Sequence, residues 1–260
     1  MSLFSAEGIA INFGGIKAVD GVTFDIEQGE VFTIIGPNGA GKTTIFNLMS
    51  RIYDSTEGRL IFDGQDITRV PAHRVASLGI ARTFQNIELF EHATLLQNLL
   101  LARHAHKKSN FLSEILFLPS TRRMEMEHRE AVEKVIDFLD LQQYRDSFIV
   151  NLPYGVRKVT ELARALCTNP KLLLLDEPSS GLNVEETEDM AFWIQDIKNL
   201  LGITVLMVEH DMSVVFGLAD RISVLVYGEC IASGTPTEIR ANAAVQEAYL
   251  GSLHPQSEAT

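Results

Sequence analysis

A glycine-rich segment from Gly36 to Thr44, GPNGAGKTT, constrains the fold of this chain more than any other part of its sequence. It contains the pattern G-x-x-x-x-G-K-[ST], in which successive backbone N–H groups converge on phosphate oxygens. The β-branched run from Val31 to Ile35 precedes it, and a predicted helix from Thr43 to Met49 follows it. Because phosphate-binding loops join a strand to a helix, this order argues against a chance match and predicts an α/β fold with a parallel sheet.

Each residue of the segment is a predicted ligand of ATP. Lys42 would reach the β and γ phosphates and assist catalysis, and Thr43 would offer its hydroxyl to Mg²⁺. The helix that opens at Gly41 would add the positive end of its dipole. The predicted nucleotide-binding residues of the loop are Gly36, Pro37, Asn38, Gly39, Ala40, Gly41, Lys42, Thr43 and Thr44.

Two acidic residues follow a second buried strand. The apolar run from Lys171 to Leu175 is typical of a strand covered on both faces, and Asp176 and Glu177 come directly after it. In open α/β sheets, ligands bind at the carboxyl ends of the strands. Asp176 is therefore predicted to hold Mg²⁺, directly or through water, and Glu177 to polarise the attacking water as general base.

A histidine ends a further apolar strand. His210 follows the run from Ile203 to Val208, which would bring it to the same edge of the sheet. At that place its imidazole would contact the γ-phosphate and sense whether it is present. The alternative for a histidine at the end of a strand is an ordinary surface residue.

The remaining patterns predict two subdomains beside the parallel core. Residues 57 to 67 alternate and turn at Asp63-Gly64, as an antiparallel hairpin does. Between residues 86 and 165 glycine is scarce and apolar residues recur at helical spacing, which indicates a helical subdomain. A crossover helix is predicted from Val184 to Leu200.

Composition narrows the possible partners. The formal net charge of −12 argues against a surface that neutralises nucleic-acid phosphates. No segment approaches the roughly 20 consecutive apolar residues that a membrane-spanning helix needs. A role at a membrane would therefore come through partner subunits.

Taken together, these motifs resemble the ABC transporter ATPase family over about residues 5 to 250. The resemblance implies a P-loop NTPase core with a mainly parallel sheet, a small antiparallel β-subdomain and an inserted helical subdomain. It implies one ATPase domain over residues 1–250 and a flexible tail over 251–260. Residues 1–85 and 166–250 would form the core with the β-subdomain, and residues 86–165 the helical subdomain.

The resemblance also assigns roles that the residues alone do not. Phe13, or alternatively Phe24, would stack on the adenine ring. Gln85 would contact Mg²⁺ and the attacking water. The family's signature, usually LSGGQ, falls at Leu152 to Val156, where Leu152 and Gly155 match. In the family this segment covers the γ-phosphate of the ATP held by the other subunit of a head-to-tail dimer.

Two positions depart from the family's pattern. Pro153 replaces the signature serine and supplies neither its hydroxyl nor its backbone N–H. Either the ATP site that this signature completes is impaired, or Gly155 and the start of the helix suffice. Asn183 replaces the usual aspartate that ends the segment after the acidic pair, which removes a charge at the dimer contact.

Five further segments, which are less specific than the nucleotide-binding motifs, are similar to segments of the first ATPase subunit of branched-chain amino acid importers. They are IARTFQ, IELFEHATLLQNLL, LPYG, GLN and VEHDM. This implies a peripheral protein at the cytoplasmic face of the membrane, with two transmembrane permeases, a second ATPase subunit and, indirectly, an extracytoplasmic binding protein. A heterodimer is favoured, and a homodimer stays open. A groove near Gln85 to Leu95, between the core and the helical subdomain, would receive a short cytoplasmic helix of the permease, and the apolar side chains that suit this contact are Phe84, Ile87, Leu89 and Phe90. The alternatives are the ATPase of a lipopolysaccharide-type exporter or a soluble ABC ATPase of translation or DNA repair.

Overall fold

The structure is a computed structural model that describes residues 2–83, 87–103 and 119–251. In these residues ten strands form two sheets, in agreement with the predicted fold class. The strands are β1 (Ser2–Phe13), β2 (Ile16–Glu27), β3 (Val31–Ile35), β4 (Glu57–Phe62), β5 (Gln65–Asp66), β6 (Ile80–Arg82), β7 (Leu172–Asp176), β8 (Thr204–Val208), β9 (Arg221–Val226) and β10 (Glu229–Gly234).

The larger sheet has the strand order β10-β9-β3-β8-β7-β6. Its strands from β9 to β6 pair in parallel, and β10 adds an antiparallel edge. Every residue of β3, β7 and β8 is buried, because helices or the second sheet cover both faces. The predicted apolar strands are thus confirmed, with β7 and β8 each beginning one residue later than their sequence patterns indicated.

The smaller sheet is antiparallel, with the order β2-β1-β4-β5. Its predicted hairpin is confirmed: β4 and β5 are joined by Asp63 and Gly64, whose φ angles are 50° and 74°. Positive φ at both central residues is the signature of a type I′ turn, which matches the twist of a two-residue hairpin.

Nine α-helices are present in the described residues. They are α1 (Lys42–Met49), α2 (Ala72–Leu78), α3 (Leu95–Ala102), α4 (Pro119–Phe138), α5 (Tyr154–Leu166), α6 (Val184–Leu201), α7 (Met212–Leu218), α8 (Pro236–Ala241) and α9 (Ala243–Gly251). Helices α3, α4 and α5 lie between β6 and β7 in the chain, where a helical subdomain was predicted. The bounds of that subdomain stay a prediction. Of the predicted tail, residues 251–260, only Gly251 lies within the described residues.

Two hydrophobic clusters sandwich the parallel sheet. Along β7, Leu173 and Leu175 join the cluster that contains α5 and α6, whereas Leu172 and Leu174 join the cluster that contains α1 and the smaller sheet. This alternation follows from the two-residue period of a strand. Both layers therefore hold β7 rigidly, and its carboxyl end is presented at the edge beside α1. No helix in the described ranges is long and apolar enough to cross a membrane.

Candidate active site

The phosphate loop connects β3 to α1 and is braced by neighbouring backbone. A Cβ atom on Gly36 would lie 2.2 Å from the carbonyl oxygen of Leu225, and one on Gly41 would lie 2.5 Å from that of Ala18. The Gly228 N–H also donates to the Ala40 carbonyl at 3.0 Å. The fold itself thus demands glycine at both positions, independently of any phosphate.

Gly39 differs from these two glycines. Its φ angle is 80°, but a Cβ atom there would meet nothing within 4 Å. The space beside Gly39, in the middle of the loop, is therefore open. A loop that binds phosphate needs open space at this place.

Lys42 is the first residue of α1, and its side chain turns into the loop. It is 6% exposed, and its Nζ donates to the carbonyls of Gly36 at 2.7 Å and Pro37 at 3.0 Å. Burial lowers the pKa of Lys42, while the carboxylates of Glu177 and Asp176 act in the opposite direction. The ammonium group is thus held within the loop and in the field of the two predicted catalytic carboxylates. The hydroxyl-bearing Thr43 follows it on the exposed side of the first turn.

Asp176 ends β7 as a buried carboxylate. It is 2% exposed, and Arg82 Nη2 donates to its Oδ2 at 3.0 Å. Burial raises the pKa of Asp176, although the guanidinium group of Arg82 opposes the shift. The other oxygen, Oδ1, is buried and has no hydrogen-bond partner among the described residues.

An unsatisfied carboxylate oxygen fits a hard cation such as Mg²⁺. In the described part of the chain, no three His, Cys, Asp or Glu side chains converge on a common point. A cation at Asp176 would therefore need further oxygen ligands, and Mg²⁺ takes such ligands from substrate phosphates and water. Asp176 fits the predicted magnesium site on these grounds, and the role of the Thr43 hydroxyl stays a prediction.

Arg82 joins three elements at this point. Besides Asp176, its Nη1 donates to Asn47 Oδ1 at 2.6 Å and to Ser50 Oγ at 2.9 Å. Its guanidinium carbon lies 5.6 Å from the centre of the Phe46 ring. Arg82 therefore fixes β6 and β7 to α1. The sequence motif IARTFQ contained this residue without revealing its partner.

Glu177 and His210 form a pair at the mouth of the site. His210 Nε2 and Glu177 Oε1 are 2.6 Å apart, and the two side chains are 45% and 15% exposed. The φ angle of Glu177 is 51°, a left-handed conformation that costs a non-glycine residue about 1–3 kcal/mol. Its N–H donates to the Val208 carbonyl at 2.9 Å. The surrounding structure thus holds a strained residue so that its carboxylate meets the imidazole, and such a pair can relay a proton.

Glu209 was not recognised in the sequence. It is 2% exposed and accepts hydrogen bonds from Ser179 N at 2.8 Å, Ser179 Oγ at 2.6 Å and His210 N at 2.8 Å. These bonds connect the end of β8 to the segment that follows Glu177. The only signal in the sequence is an acidic residue between an apolar strand and His210.

Burial distinguishes the two candidates for stacking on the adenine ring. Phe13 is 44% exposed and stands edge-on to Tyr53, with 5.3 Å between the ring centres. Phe24 is 6% exposed and stacks on Phe32 inside the core, at 5.4 Å. Phe24 has no free face for a base, so Phe13 stays the predicted stacking residue. Tyr53 was missed, because nothing in the sequence brings it to Phe13.

The signature segment begins α5. Pro153 is the N-cap residue, and its side chain makes no capping hydrogen bond. Gly155 lies in the first turn, where a Cβ atom would be 2.3 Å from Glu186 Oε1. The Leu152 side chain is only 5% exposed and belongs to the core, so any contact of Leu152 with nucleotide must come from its backbone.

Gln85 and Asn183 are the remaining predicted positions. Gln85, predicted as a ligand of Mg²⁺ and water, lies outside the described residues, and its role stays a prediction. Asn183 takes over the N-cap of α6: its side chain accepts from Glu186 N at 2.9 Å, and its own N–H donates to Glu186 Oε2 at 3.0 Å. The departure from aspartate thus leaves a complete capping box.

Known proteins are similar to this chain over nearly its whole length. The profile of the ABC transporter family matches residues 19–180, and that of the branched-chain amino acid ATP-binding cassette transporter matches residues 229–254. The chain is 40% identical over 249 residues to the high-affinity branched-chain amino acid transport ATP-binding protein BraF of Pseudomonas aeruginosa. It is 39% identical over 249 residues to the protein LivG of Escherichia coli, which carries the same description. Each alignment covers 96% of this chain and 98% of the relative.

Solved structures agree with the sequence relatives. A nucleotide-free ATP-binding cassette from an ABC transporter superposes with a TM-score of 0.83 at 32% identity. An ATP-binding cassette in its ADP conformation superposes with a TM-score of 0.83 at 31% identity. Both comparisons cover 96% of this chain and 99% of the solved chain.

The buried pair of Arg82 and Asp176 leads to a stability prediction. Arg82→Met leaves the Asp176 carboxylate without its cation in a buried place. We expect the free energy of unfolding to fall by about 3–5 kcal/mol. Urea denaturation of the full chain measures the change.

Arg59→Met is the matched control for Arg82→Met. Arg59 pairs with Glu7 at 2.8 Å, but the two side chains are 66% and 43% exposed. Its loss should cost about 0–1 kcal/mol, because water screens the pair. Equal effects of the two substitutions would show that the Arg82 pair does not compensate the buried charge.

Proposed function

We propose, from the premise that this chain belongs to the ABC transporter family, that its hydrolysis of ATP powers the import of branched-chain amino acids. The relatives that the chain matches over 96% of its length are transport ATP-binding proteins for these substrates. They favour import over the lipopolysaccharide-type exporter and over the soluble ATPases of translation or DNA repair.

The observation that carries the catalytic proposal is the Glu177–His210 pair beside the unsatisfied oxygen of Asp176. Glu177 acts as general base and takes a proton from the water that attacks the γ-phosphate. His210, 2.6 Å away, orients that carboxylate and contacts the γ-phosphate. Lys42 stabilises the charge that develops on the transferred phosphoryl group.

Asp176, Thr43 and Gln85 hold the metal in this proposal. When bound, Mg²⁺ neutralises phosphate charge and orients the leaving group. The loop residues from Gly36 to Thr44 bind the phosphates. Phe13 supports the adenine ring from the exposed side of the smaller sheet.

The site is completed by a second ATPase subunit. Leu152 and Gly155 lie at the start of α5, whose N-terminus has the polarity that favours a phosphate. In a head-to-tail dimer, this N-terminus covers the ATP of the partner. ATP binding closes the dimer and hydrolysis releases it, so that the permeases change conformation in step.

A groove suited to a permease segment separates α2 from α5. Its lining includes the apolar Ile52 and Val75 and the polar Glu88, Arg164 and Thr168. This shifts the docking surface predicted near Gln85 to Leu95, because Leu89 is buried and Ile87 packs against the core, while Phe90 is 61% exposed and Phe84 lies outside the described residues. The protein would thus sit peripherally at the cytoplasmic face, beneath two permeases.

Substitution of the general base tests the chemistry. Glu177→Gln removes the proton acceptor but preserves the shape and the ability to bind ATP. We expect turnover to fall by about 10²-fold or more, and an ATP-bound closed dimer to accumulate. ATPase assays and size-exclusion chromatography with ATP measure both effects.

Glu130→Gln is the control for Glu177→Gln. Glu130 pairs with Lys134 on the exposed face of α4, so this change should leave turnover at the wild-type value. Undiminished hydrolysis by the Glu177→Gln protein would remove Glu177 from the role of general base.

Uptake by cells tests the substrate. In a strain that lacks the gene for this chain, uptake of labelled leucine should fall and should be restored by the wild-type gene but not by Glu177→Gln. Leucine uptake that does not depend on the gene would exclude the proposed substrate class. Chains that co-purify from membranes in mild detergent would then identify the permeases and the second ATPase.

The proline in the signature gives a separate prediction. Pro153→Ser supplies an N–H group and a hydroxyl to the partner's γ-phosphate, and we expect the ATPase rate of the assembled complex to rise several-fold. Because serine is also a good N-cap, the melting temperature must be recorded alongside the rate.

Pro153→Ala separates the two donors, since it restores the N–H group without the hydroxyl. If the serine variant hydrolyses ATP no faster than wild type, Gly155 and the helix N-terminus suffice, and Pro153 does not impair the site.

A further inference from the structure

The signature helix α5 is attached to the segment that carries the general base. Lys158, one turn beyond the signature, donates from Nζ to the Glu177 carbonyl at 3.2 Å. The Tyr154 hydroxyl donates to the Ser180 carbonyl at 3.4 Å. The Tyr154 ring also lies 2.9 Å from the place of a Cβ atom on Gly181. The signature helix α5 and the segment that carries Glu177, which have different predicted roles in catalysis, are thus in direct contact within one chain.

Lysine is normally found at the protein surface, so a lysine at the buried position of Lys158 is unusual. Its side chain is 5% exposed, and burial lowers its pKa. The carboxylates of Glu161, Glu209, Glu177 and Asp176 surround it and favour its charged form. Burying an ammonium group is costly unless it is compensated, so an apolar residue would be the ordinary choice for packing α5 against the sheet.

The hydrogen bond from Lys158 goes to the backbone of Glu177, a non-glycine residue with a positive φ angle. Glu177 has a φ angle of 51°, and its carbonyl also accepts from Ser180 N at 3.2 Å. On the other side, its N–H is fixed to Val208. A strained residue at a functional site persists when the surrounding contacts hold its conformation. Lys158 supplies the charged donor on the carbonyl side.

We propose that Lys158 is a positioning residue for ATP hydrolysis, which holds the Glu177 main chain in its left-handed conformation and ties it to the signature helix. The inference rests on the proposed role of Glu177 as general base. It extends that role, because a displacement of α5 by the partner's ATP would reach Glu177 through this bond. Each subunit could thus register occupancy of the partner's site at its own catalytic carboxylate.

Lys158→Met tests the proposal, since it keeps the length and packing of the side chain and removes the donor. The full chain is purified together with the subunits that accompany it from membranes. We expect kcat for ATP hydrolysis to fall about tenfold, while the KM for ATP changes by less than about twofold. A parallel loss of ATP affinity and melting temperature would instead indicate a structural role and overturn the proposal.

Lys134→Met is the matched control. Lys134 lies on α4, is 73% exposed and pairs with Glu130. The same chemical change there should leave kcat unaltered.

Lys158→Arg tests rescue by a second cationic donor. A small cavity lined by Thr83, Glu161 and Met190 adjoins Lys158 and gives the longer side chain room. We expect the arginine protein to recover most of the kcat lost in Lys158→Met. An arginine protein that folds, binds ATP and is as slow as the methionine protein would contradict the positioning role.

A double substitution separates this inference from the function on which it rests. If Lys158 acts through Glu177, then adding Lys158→Met to Glu177→Gln should cause no further loss of the residual rate. A further tenfold loss would show an independent effect and overturn the proposal. If Glu177→Gln itself retains full activity, the proposed general base fails. If Glu177→Gln is inactive and Lys158→Met is fully active, only the role of Lys158 fails.

Discussion

The burial of charge at the carboxyl end of β7 is the constraint on which the rest of the structure depends. Asp176 is 2% exposed, and burial of a carboxylate is unfavourable unless cations and donors surround it. The chain meets this requirement from several directions: Arg82 pairs with one oxygen, while Lys42 and Lys158 contribute positive charge. The second oxygen stays without a hydrogen bond in the described residues and so favours a metal cation. The Asp176 carboxylate therefore has two functions: one oxygen takes part in the ion pair that compensates its buried charge, and the other is available to a metal cation.

Much of this fold follows from local sequence patterns. The runs that form β3, β7 and β8, the I′ turn at Asp63-Gly64 and the crossover helix α6 each have a periodicity or turn chemistry that is visible within a short window. The meeting of Glu177 with His210 also follows, because both residues end parallel strands of one sheet, and such ends lie at one edge.

The missed residues have partners that no local pattern indicates. Arg82 and Asp176 are 94 residues apart in the chain, and Ser179 and Glu209 are 30 apart. Lys158 donates to a backbone carbonyl, a group that every residue has, so the sequence does not indicate which carbonyl it will contact. Leu89 illustrates the opposite error. Its apolar character suited a docking surface as well as a core, and only tertiary packing decides between them. Side chains that compensate buried charge are thus the hardest part of such a site to predict.

The bracing of the phosphate loop bears on the thermodynamics of nucleotide binding. The backbone at Leu225, Gly228 and Ala18 already confines the loop at Gly36, Ala40 and Gly41. A binding loop that is ordered in advance loses little conformational entropy when its ligand arrives. More of the interaction free energy with ATP then remains available for closing the proposed dimer. By the same reasoning, a substitution in the turn between β9 and β10, far from any phosphate in sequence, would weaken nucleotide affinity by loosening the loop before ATP is bound.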